Sequence, residues 1–385
     1  MSADGNLPND RFSQVGRHPA PEQHYDLVVV GAGQAGVQAA TEAAAAGRSV
    51  LLVDEHPLDP GLIGLDVPYL FGGRATAAVQ TPSRLMEQIF AARPALEAAV
   101  GAAVFIKPEP LQRTGSFKLR GATNALMRID PALRPRGVVT HSSGNHGQAT
   151  ACAAAALGMP ALIAMPADAP AVKIAATRRW GAEITFFDRH NTDRHALAAS
   201  LAAQRGATHV PPFDHADVIA GQGTLALELL EDAGQQLDAL AVCTGGGGLL
   251  GGCALVMAEL APNAQVWAVE PEGWDDYGRS LRAGHRLEND GQGDGLCDAL
   301  LSKGPGEMTF AVNAPRVAGG VSVTRAEVFA AMRFAFEHLK IVVEPGGAVA
   351  LAAVLAGKVK GSAIGLVISG GNADPAVFVQ ALAAA

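Results

Sequence analysis

Apolar residues in this chain fall into short continuous runs, separated by alanine-rich stretches of helical period. "DLVVV" (26–30), "SVLLVDE" (49–55), "AVFIK" (103–107), "GVVTHS" (137–142), "ALIAMP" (161–166), "EITFFD" (183–188), "DALAVC" (238–243), "QVWAVE" (265–270) and "AIGLVIS" (363–369) each predict a buried strand. Runs with no polar alternation belong to strands covered on both faces. Their alternation with helices predicts an α/β fold with a mostly parallel sheet. Residues 57–74, "PLDPGLIGLDVPYLFGGR", are rich in Pro and Gly and predict irregular chain, and 84–100 predict a helix. The polar residues 1–23 predict a disordered leader without the apolar core of a signal peptide. The most apolar stretch, Thr150–Pro166, is broken by Gly158 and Pro160. It predicts a helix, a turn and a strand, too short to span a bilayer.

Composition narrows the class only modestly. At 385 residues there is room for one large or two ordinary domains. A net charge of −8 gives no reason to expect nucleic acid or an anionic membrane as partner. The four cysteines, Cys152, Cys243, Cys253 and Cys297, form no C-x-x-C pair, so no zinc knuckle or redox dithiol is signalled. Scattered thiols fit a cytoplasmic enzyme.

The first chemical motif is Gly31, Gly33 and Gly36, a G-x-G-x-x-G after a strand, with Asp54 and Glu55 ending the next strand. That order suits a dinucleotide, with a carboxylate on the ribose hydroxyls. The unit resembles the N-terminal βαβ of flavin-dependent oxidoreductases. One βαβ unit, however, binds only about half a dinucleotide. A fused or vestigial Rossmann-like fragment is therefore the stronger reading, and a flavin- or NAD-dependent oxidoreductase the alternative.

Four later motifs agree with one another. "LQRTGSFKLRGA" (111–122) sets Lys118 beside Phe117, flanked by glycines. A lone lysine is nearly always a solvated charge, but burial here would leave an amine fit for a Schiff base. "THSSGNHGQA" (140–149) follows a strand and opens a helix. Its free N–H groups could bind a carboxylate, or Ser and Asn could simply cap the helix. "CTGGGGLLGG" (243–252) places Gly245, Gly246, Gly247 and Gly248 between a strand and a helix, where backbone can wrap a small phosphate. No Lys-Ser/Thr follows, so it is not a Walker loop. "VISGGNADP" (367–375) ends a strand at Ser369, which could offer a hydroxyl to a heteroaromatic nitrogen.

In this order the four motifs resemble the fold-type II pyridoxal phosphate enzymes, in particular the threonine/serine dehydratase and serine racemase family, over roughly residues 103–385. The resemblance implies a tryptophan-synthase-beta-like fold of two open twisted parallel-sheet subdomains. The expected division is a leader (1–23), a Rossmann-like βαβ fragment (24–74) and a catalytic domain (75–385) with a small subdomain near 137–214. Carried over by position, Lys118 would hold the cofactor, Phe117 pack on its ring, Asn145 bond its hydroxyl, Gly245–Gly248 cradle its phosphate and Ser369 face its nitrogen. Glu344 would line its edge. Ser142, Ser143, Asn145 and His146 would hold the substrate carboxylate, with Arg194 assisting. Racemase-like members bind a divalent cation such as Mg²⁺, which would fall to Glu270, Asp276 and the Trp274 carbonyl.

The activity implied is dehydration of L-threonine, L-serine or a related β-hydroxy amino acid to a 2-oxo acid and ammonia. Ser143, on the face opposite Lys118, makes serine racemisation the alternative. The resemblance also implies a homodimer. Two departures stand out. "VQTPSRLMEQ" (79–88) offers Thr81-Pro82 without the family's following leucine, so a fusion junction is expected within 57–103. The segment after "SGGN" is short, which leaves no room for a regulatory effector domain.

Overall fold

The computed structural model describes residues 27–30, 42–43, 45–48, 50–54, 69–71 and 93–384, apart from 170, 190 and 292. The expected leader, Gly31, Gly33, Gly36, Glu55 and the Thr81-Pro82 segment lie outside the described residues. The chain divides into two units, Met1–Ala91 and Ala92–Ala385.

In the first unit, β1 (Leu27–Val30), β2 (Val50–Asp54) and β3 (Tyr69–Phe71) form a parallel sheet in the order β1-β2-β3. The first two match the predicted strands. The third falls inside the segment predicted to be irregular. Its apolar triplet is too short to show a period, and pairing of Leu52 with Tyr69 supplies what local sequence lacks.

The second unit opens with α1 (Arg93–Val100) and holds two sheets. The larger contains β4 (Ala103–Pro108), β9 (Ala239–Cys243), β10 (Gln265–Pro271), β11 (Gly319–Val323) and β12 (Ala363–Ile368), in the order β11-β10-β9-β12-β4. The smaller contains β5 (Val138–His141), β6 (Ala161–Pro166), β7 (Glu183–Phe187) and β8 (Thr208–His209), in the order β7-β6-β5-β8. Every pairing is parallel. All five residues of β9 and all six of β12 are buried, as strands covered on both faces require. β8 and β11 have no apolar run of their own. β11 opens on Gly319 and Gly320, and a Cβ on Gly320 would lie 2.4 Å from Cα of Gly278, so helix packing forces a sequence that hides the strand.

Glycines also set how closely the helices pack. α2 (Lys118–Met127), α6 (Ala216–Ala233) and α7 (Gly248–Leu260) meet at Gly121, Gly221, Gly223 and Gly252. A Cβ on Gly252 would sit 2.4 Å from the Gly223 nitrogen, and one on Gly221 would sit 2.7 Å from the Arg120 carbonyl. This packs α6 tightly between α2, which begins at Lys118, and α7, which begins at Gly248. Beneath them Phe105, Leu225, Leu229, Leu240, Leu250 and Met257 form one apolar cluster. Leu240 is fully buried at the centre of β9, the strand that delivers the glycine run. Leu240→Ala is expected to lower unfolding stability by about 2–5 kcal/mol. Urea melts read by circular dichroism check this, with the midpoint falling and the slope unchanged.

Candidate active site

The four motifs converge on one cavity. Its walls include Phe117, Lys118, Ser142, Ser143, Asn145, His146, Arg194, Gly245–Gly248 and Ser369, each expected from sequence. Long-range bonds hold them there. The Phe117 N–H donates to the Ser369 carbonyl at 3.1 Å, and Ser116 bridges Gly370. Asn145 Nδ2 donates to Glu344 Oε1 at 2.6 Å, and Asn372 Nδ2 donates to Asn145 Oδ1 at 2.9 Å. Glu344 therefore braces Asn145 from behind.

Lys118 is the first residue of α2 and its Nζ donates to the Pro212 carbonyl at 2.7 Å. The residue is half-buried, its open surface facing the cavity it lines. Burial pulls the amine down to about 8. His146, fully enclosed, is pushed down to about 3, by burial first and the Lys118 charge second. A low-pKa amine set beside neutral imidazole is the environment a Schiff-base lysine needs.

The glycine run is fixed by shape. A Cβ on Gly246 would meet the Phe213 ring at 2.4 Å, and Gly247, at φ +92°, would meet the Tyr277 hydroxyl at 2.4 Å. Thr309 Oγ1 donates to the Gly246 carbonyl at 2.6 Å and Asn313 Nδ2 to that of Gly247 at 3.1 Å. With the carbonyls held from outside, the N–H groups are left for a guest. Gly247 is the N-cap of α7 and supplies no side chain to its first turn. The SSGN turn behaves alike. Gly144 is the N-cap of α3 (Asn145–Ala156), again without a side-chain cap. Ser142 Oγ instead accepts the Gly144 N–H at 3.0 Å. Simple capping therefore does not account for this turn, and two uncapped helix starts face one cavity as anion sites.

Arg194 begins α5 (Arg194–Arg205), whose N-cap Asp193 accepts from His195 and Ala196. Arg194 lines the cavity, and its guanidinium has no hydrogen bond or ion pair among the described residues. Burial lowers its pKa. His141, buried at the cavity wall, has both ring nitrogens without partners, and stands 4.3 Å from the His195 ring and 6.1 Å from that of His209. Burial, then His195 and Arg194, push His141 down to about 2. Sequence reasoning missed this imidazole cluster, along with Lys173, Asp298 and Phe213 at the same cavity. Only His141 carried a signal, its place beside Ser142.

Glu270, Trp274 and Asp276 do not line the cavity. Glu270 accepts the N–H groups of Tyr277 and Gly278, each at 2.8 Å, at the start of α8 (Asp276–Ala283). Asn289 Nδ2 donates to Asp276 Oδ1, while the buried Asp276 Oδ2 has no partner. Burial and then Asp276 raise the Glu270 pKa well above the carboxylate range, and burial raises Asp276 to about 7. Two buried acids with an orphaned oxygen, and no salt bridge to either among the described residues, fit a divalent ion. No cluster of three or more His, Cys, Asp or Glu ligands occurs among the described residues, so a carbonyl such as that of Trp274 would have to complete the set.

One cavity that joins a lysine amine, a run of four glycines and a serine at a strand end has the parts that a phosphorylated aldehyde cofactor requires. The chain belongs to the pyridoxal-phosphate dependent enzyme family, whose family model matches residues 90–370. Residues 26–103 match FAD dependent oxidoreductases. The L-threo-3-hydroxyaspartate ammonia-lyase of a Pseudomonas species is 48% identical over 281 residues, covering 72% of this chain and 88% of its own length. The serine racemase of Schizosaccharomyces pombe is 44% identical, covering 71% and 84%. The crystal structure of Dictyostelium discoideum serine racemase superimposes with a TM-score of 0.68 at 37% identity, covering 75% of this chain and 98% of that one.

The Lys118 amine gives a pH prediction. Only the neutral amine adds to an aldehyde, and its fraction falls about tenfold per pH unit below the pKa. Capture of pyridoxal phosphate by the cofactor-free protein, followed by near-visible absorbance, is expected to quicken with pH and level off above about 8. Lys118→Ala is expected to abolish borohydride-fixable capture.

Proposed function

We propose that this protein is a pyridoxal phosphate ammonia-lyase acting on a β-hydroxy amino acid with a second carboxylate, L-threo-3-hydroxyaspartate in the first instance. The observation that carries the reading is one cavity holding both the Lys118 amine and the Arg194 guanidinium, neither ion-paired among the described residues. Serine or threonine would leave that half-buried cation unanswered, whereas a β-carboxylate would meet it. Relatives named for 3-hydroxyaspartate, from Pseudomonas and from Saccharomyces cerevisiae, support the same substrate.

Bound pyridoxal phosphate supplies the electron sink for the pair left when a bond at Cα breaks. Gly245–Gly248 and the α7 N-terminus hold its phosphate, Phe117 packs on its ring, Asn145, braced by Glu344, bonds its hydroxyl, and Ser369 meets its nitrogen. Ser369 is neutral and does not hold that nitrogen protonated as a carboxylate would. The weaker sink favours prompt loss of a β-substituent over transamination. The SSGN turn with His146 holds the α-carboxylate and Arg194 the β-carboxylate. Lys118 Nζ takes the Cα proton and returns it to the departing β-hydroxyl, which leaves as water, and water then hydrolyses the released enamine, by way of its imine tautomer, to a 2-oxo acid and ammonia.

Ser143 supports a second activity. Its hydroxyl lines the cavity opposite Lys118 in this reading and makes no hydrogen bond among the described residues, so it is free to return a proton to the other face. The family resemblance to serine racemases supports this route. Four buried free thiols support a reducing, cytoplasmic setting. No helix among the described residues is long and apolar enough to cross a membrane. The Glu270–Asp276 pair, with the Trp274 carbonyl, is the proposed Mg²⁺ site.

Two measurements test these assignments. Arg194→Met is expected to lower kcat/KM for L-threo-3-hydroxyaspartate roughly 100-fold, the scale of a lost charged hydrogen bond. For L-serine the same change is expected to cost less than about fivefold, since uncharged side chains never met the guanidinium. Equal losses on both substrates, or serine as the better substrate of the wild type, overturn the β-carboxylate assignment. Millimolar Mg²⁺ is expected to raise Tm by roughly 3–6 °C through mass action on the folded state. Asp276→Asn is expected to remove that gain, which differential scanning calorimetry reads directly.

A further inference from the structure

Lys173 was singled out by no motif, yet it is 6% exposed and reaches into the active-site cavity. It lies on α4 (Ala171–Arg179), which belongs to the smaller sheet's layer. Its stem passes directly behind the SSGN turn: a Cβ on Gly144 would lie 2.5 Å from Lys173 Cδ. Its ammonium then leaves that layer and donates to Asp298 Oδ2 at 2.5 Å, with Glu344 Oε2 at 3.7 Å. Both acceptors belong to segments packed on the larger sheet. Glu344 is the N-cap of α11 (Pro345–Leu355), and Asp298 sits two residues before Leu300, whose backbone closes over Gly245. Glu344 is also the carboxylate that braces Asn145. One buried cation thus touches the back of the substrate turn, the support of the ring-hydroxyl donor and the loop over the phosphate cradle.

A buried lysine needs a reason. Removing one partner of such a pair leaves an uncompensated charge, so the site tolerates only the closed register in which all three groups meet. Burial lowers the Lys173 pKa, but Glu344 and Asp298 more than offset it and hold the group charged.

We propose that Lys173 is a positioning residue, a buried strap that fixes the SSGN turn against the cofactor cradle by pinning the smaller layer to Asp298 and Glu344 of the larger one. It touches no reacting atom. It sets where the substrate carboxylate is held relative to Lys118, and errors of about 1 Å there are costly. The functional part of this inference rests on the cofactor reading of the cavity, while the strap itself does not.

Amide hydrogen exchange on the cofactor-free protein tests the strap without any turnover. Lys173→Met is expected to speed exchange at least tenfold in residues 142–147 and 296–301, leaving β9 and β12 as protected as in the wild type. Asp298→Asn is expected to act on the same segments, and Lys173→Arg to restore most of the protection. In the loaded enzyme, Lys173→Met is expected to keep the cofactor absorbance band while KM for the amino acid rises tenfold or more. Exchange that is unchanged, or that quickens uniformly through the core strands, overturns the strap. If the variants show the strap signature while the wild-type protein turns over no β-hydroxy amino acid, the strap stands and the lyase reading alone falls.

Discussion

Everything in the second unit is arranged around a primary amine kept out of bulk water. Lys118 cannot be placed by its own helix, because a helix start with an aromatic neighbour is common and unremarkable. It is placed by the end of β12, through the Phe117 N–H on the Ser369 carbonyl, and by the Pro212 carbonyl that takes its proton donor. Desolvation lowers its pKa to about 8, and the same burial keeps His146 neutral beside it. A charged imidazole there would repel the amine and compete for the phosphate. The hydrogen-bond partner of the lysine amine is therefore backbone, and the formal charges of the cavity, Arg194, Lys173 and Asp298, form no ion pair with it.

The parts of this site that were legible in sequence are those whose chemistry is written in consecutive residues. Wrapping a phosphate needs adjacent glycines, and Gly245–Gly248 stand together. Holding a carboxylate on backbone N–H groups needs a strand, a tight turn and a helix, and "THSSGNHGQA" spells all three. Strands such as β9 and β12 were legible because burial on both faces demands uninterrupted apolar runs. What stayed hidden depends on distant partners. Asn145 and Glu344 are 199 positions apart, and Lys173 and Asp298 are 125 apart. β11 was masked by glycines that its neighbour Gly278 requires, and β8 by being two residues long. Whether the SSGN turn was a mere cap could not be decided until Gly144 proved to be the N-cap.

The first unit poses a different balance. Its local fingerprint is good, and residues 26–103 do match FAD dependent oxidoreductases. The match to the pyridoxal-phosphate enzymes starts at residue 90, so the two resemblances meet within the stretch expected to hold a junction. A dinucleotide site is built at the carboxyl edge of a sheet several strands wide, with both halves of the ligand spanning a topological switch. Among the described residues, three parallel strands in the order β1-β2-β3 show no such switch. The cavity with the four motifs lies in the second unit, and the first carries the match to FAD dependent oxidoreductases.

The same logic of uncompensated groups separates the anion positions of the cavity. Besides α2, three helices begin there, but they do not offer the same thing. α3 and α7 start on glycine, so their N-terminal N–H groups and dipoles remain available. α5 starts on Asp193, whose carboxylate already satisfies the first turn, so its dipole is spent. What α5 contributes instead is the side chain of its first residue, Arg194, a full charge rather than a partial one. Backbone N–H groups suffice for a phosphate and an α-carboxylate, which every amino acid and the cofactor bring. A free guanidinium adds nothing to those two and would leave the folded state with a half-buried cation lacking a partner. Its unpaired position makes sense when a third anion arrives with the substrate. That argument ties the selectivity of the enzyme to one charge whose partner the protein itself does not supply.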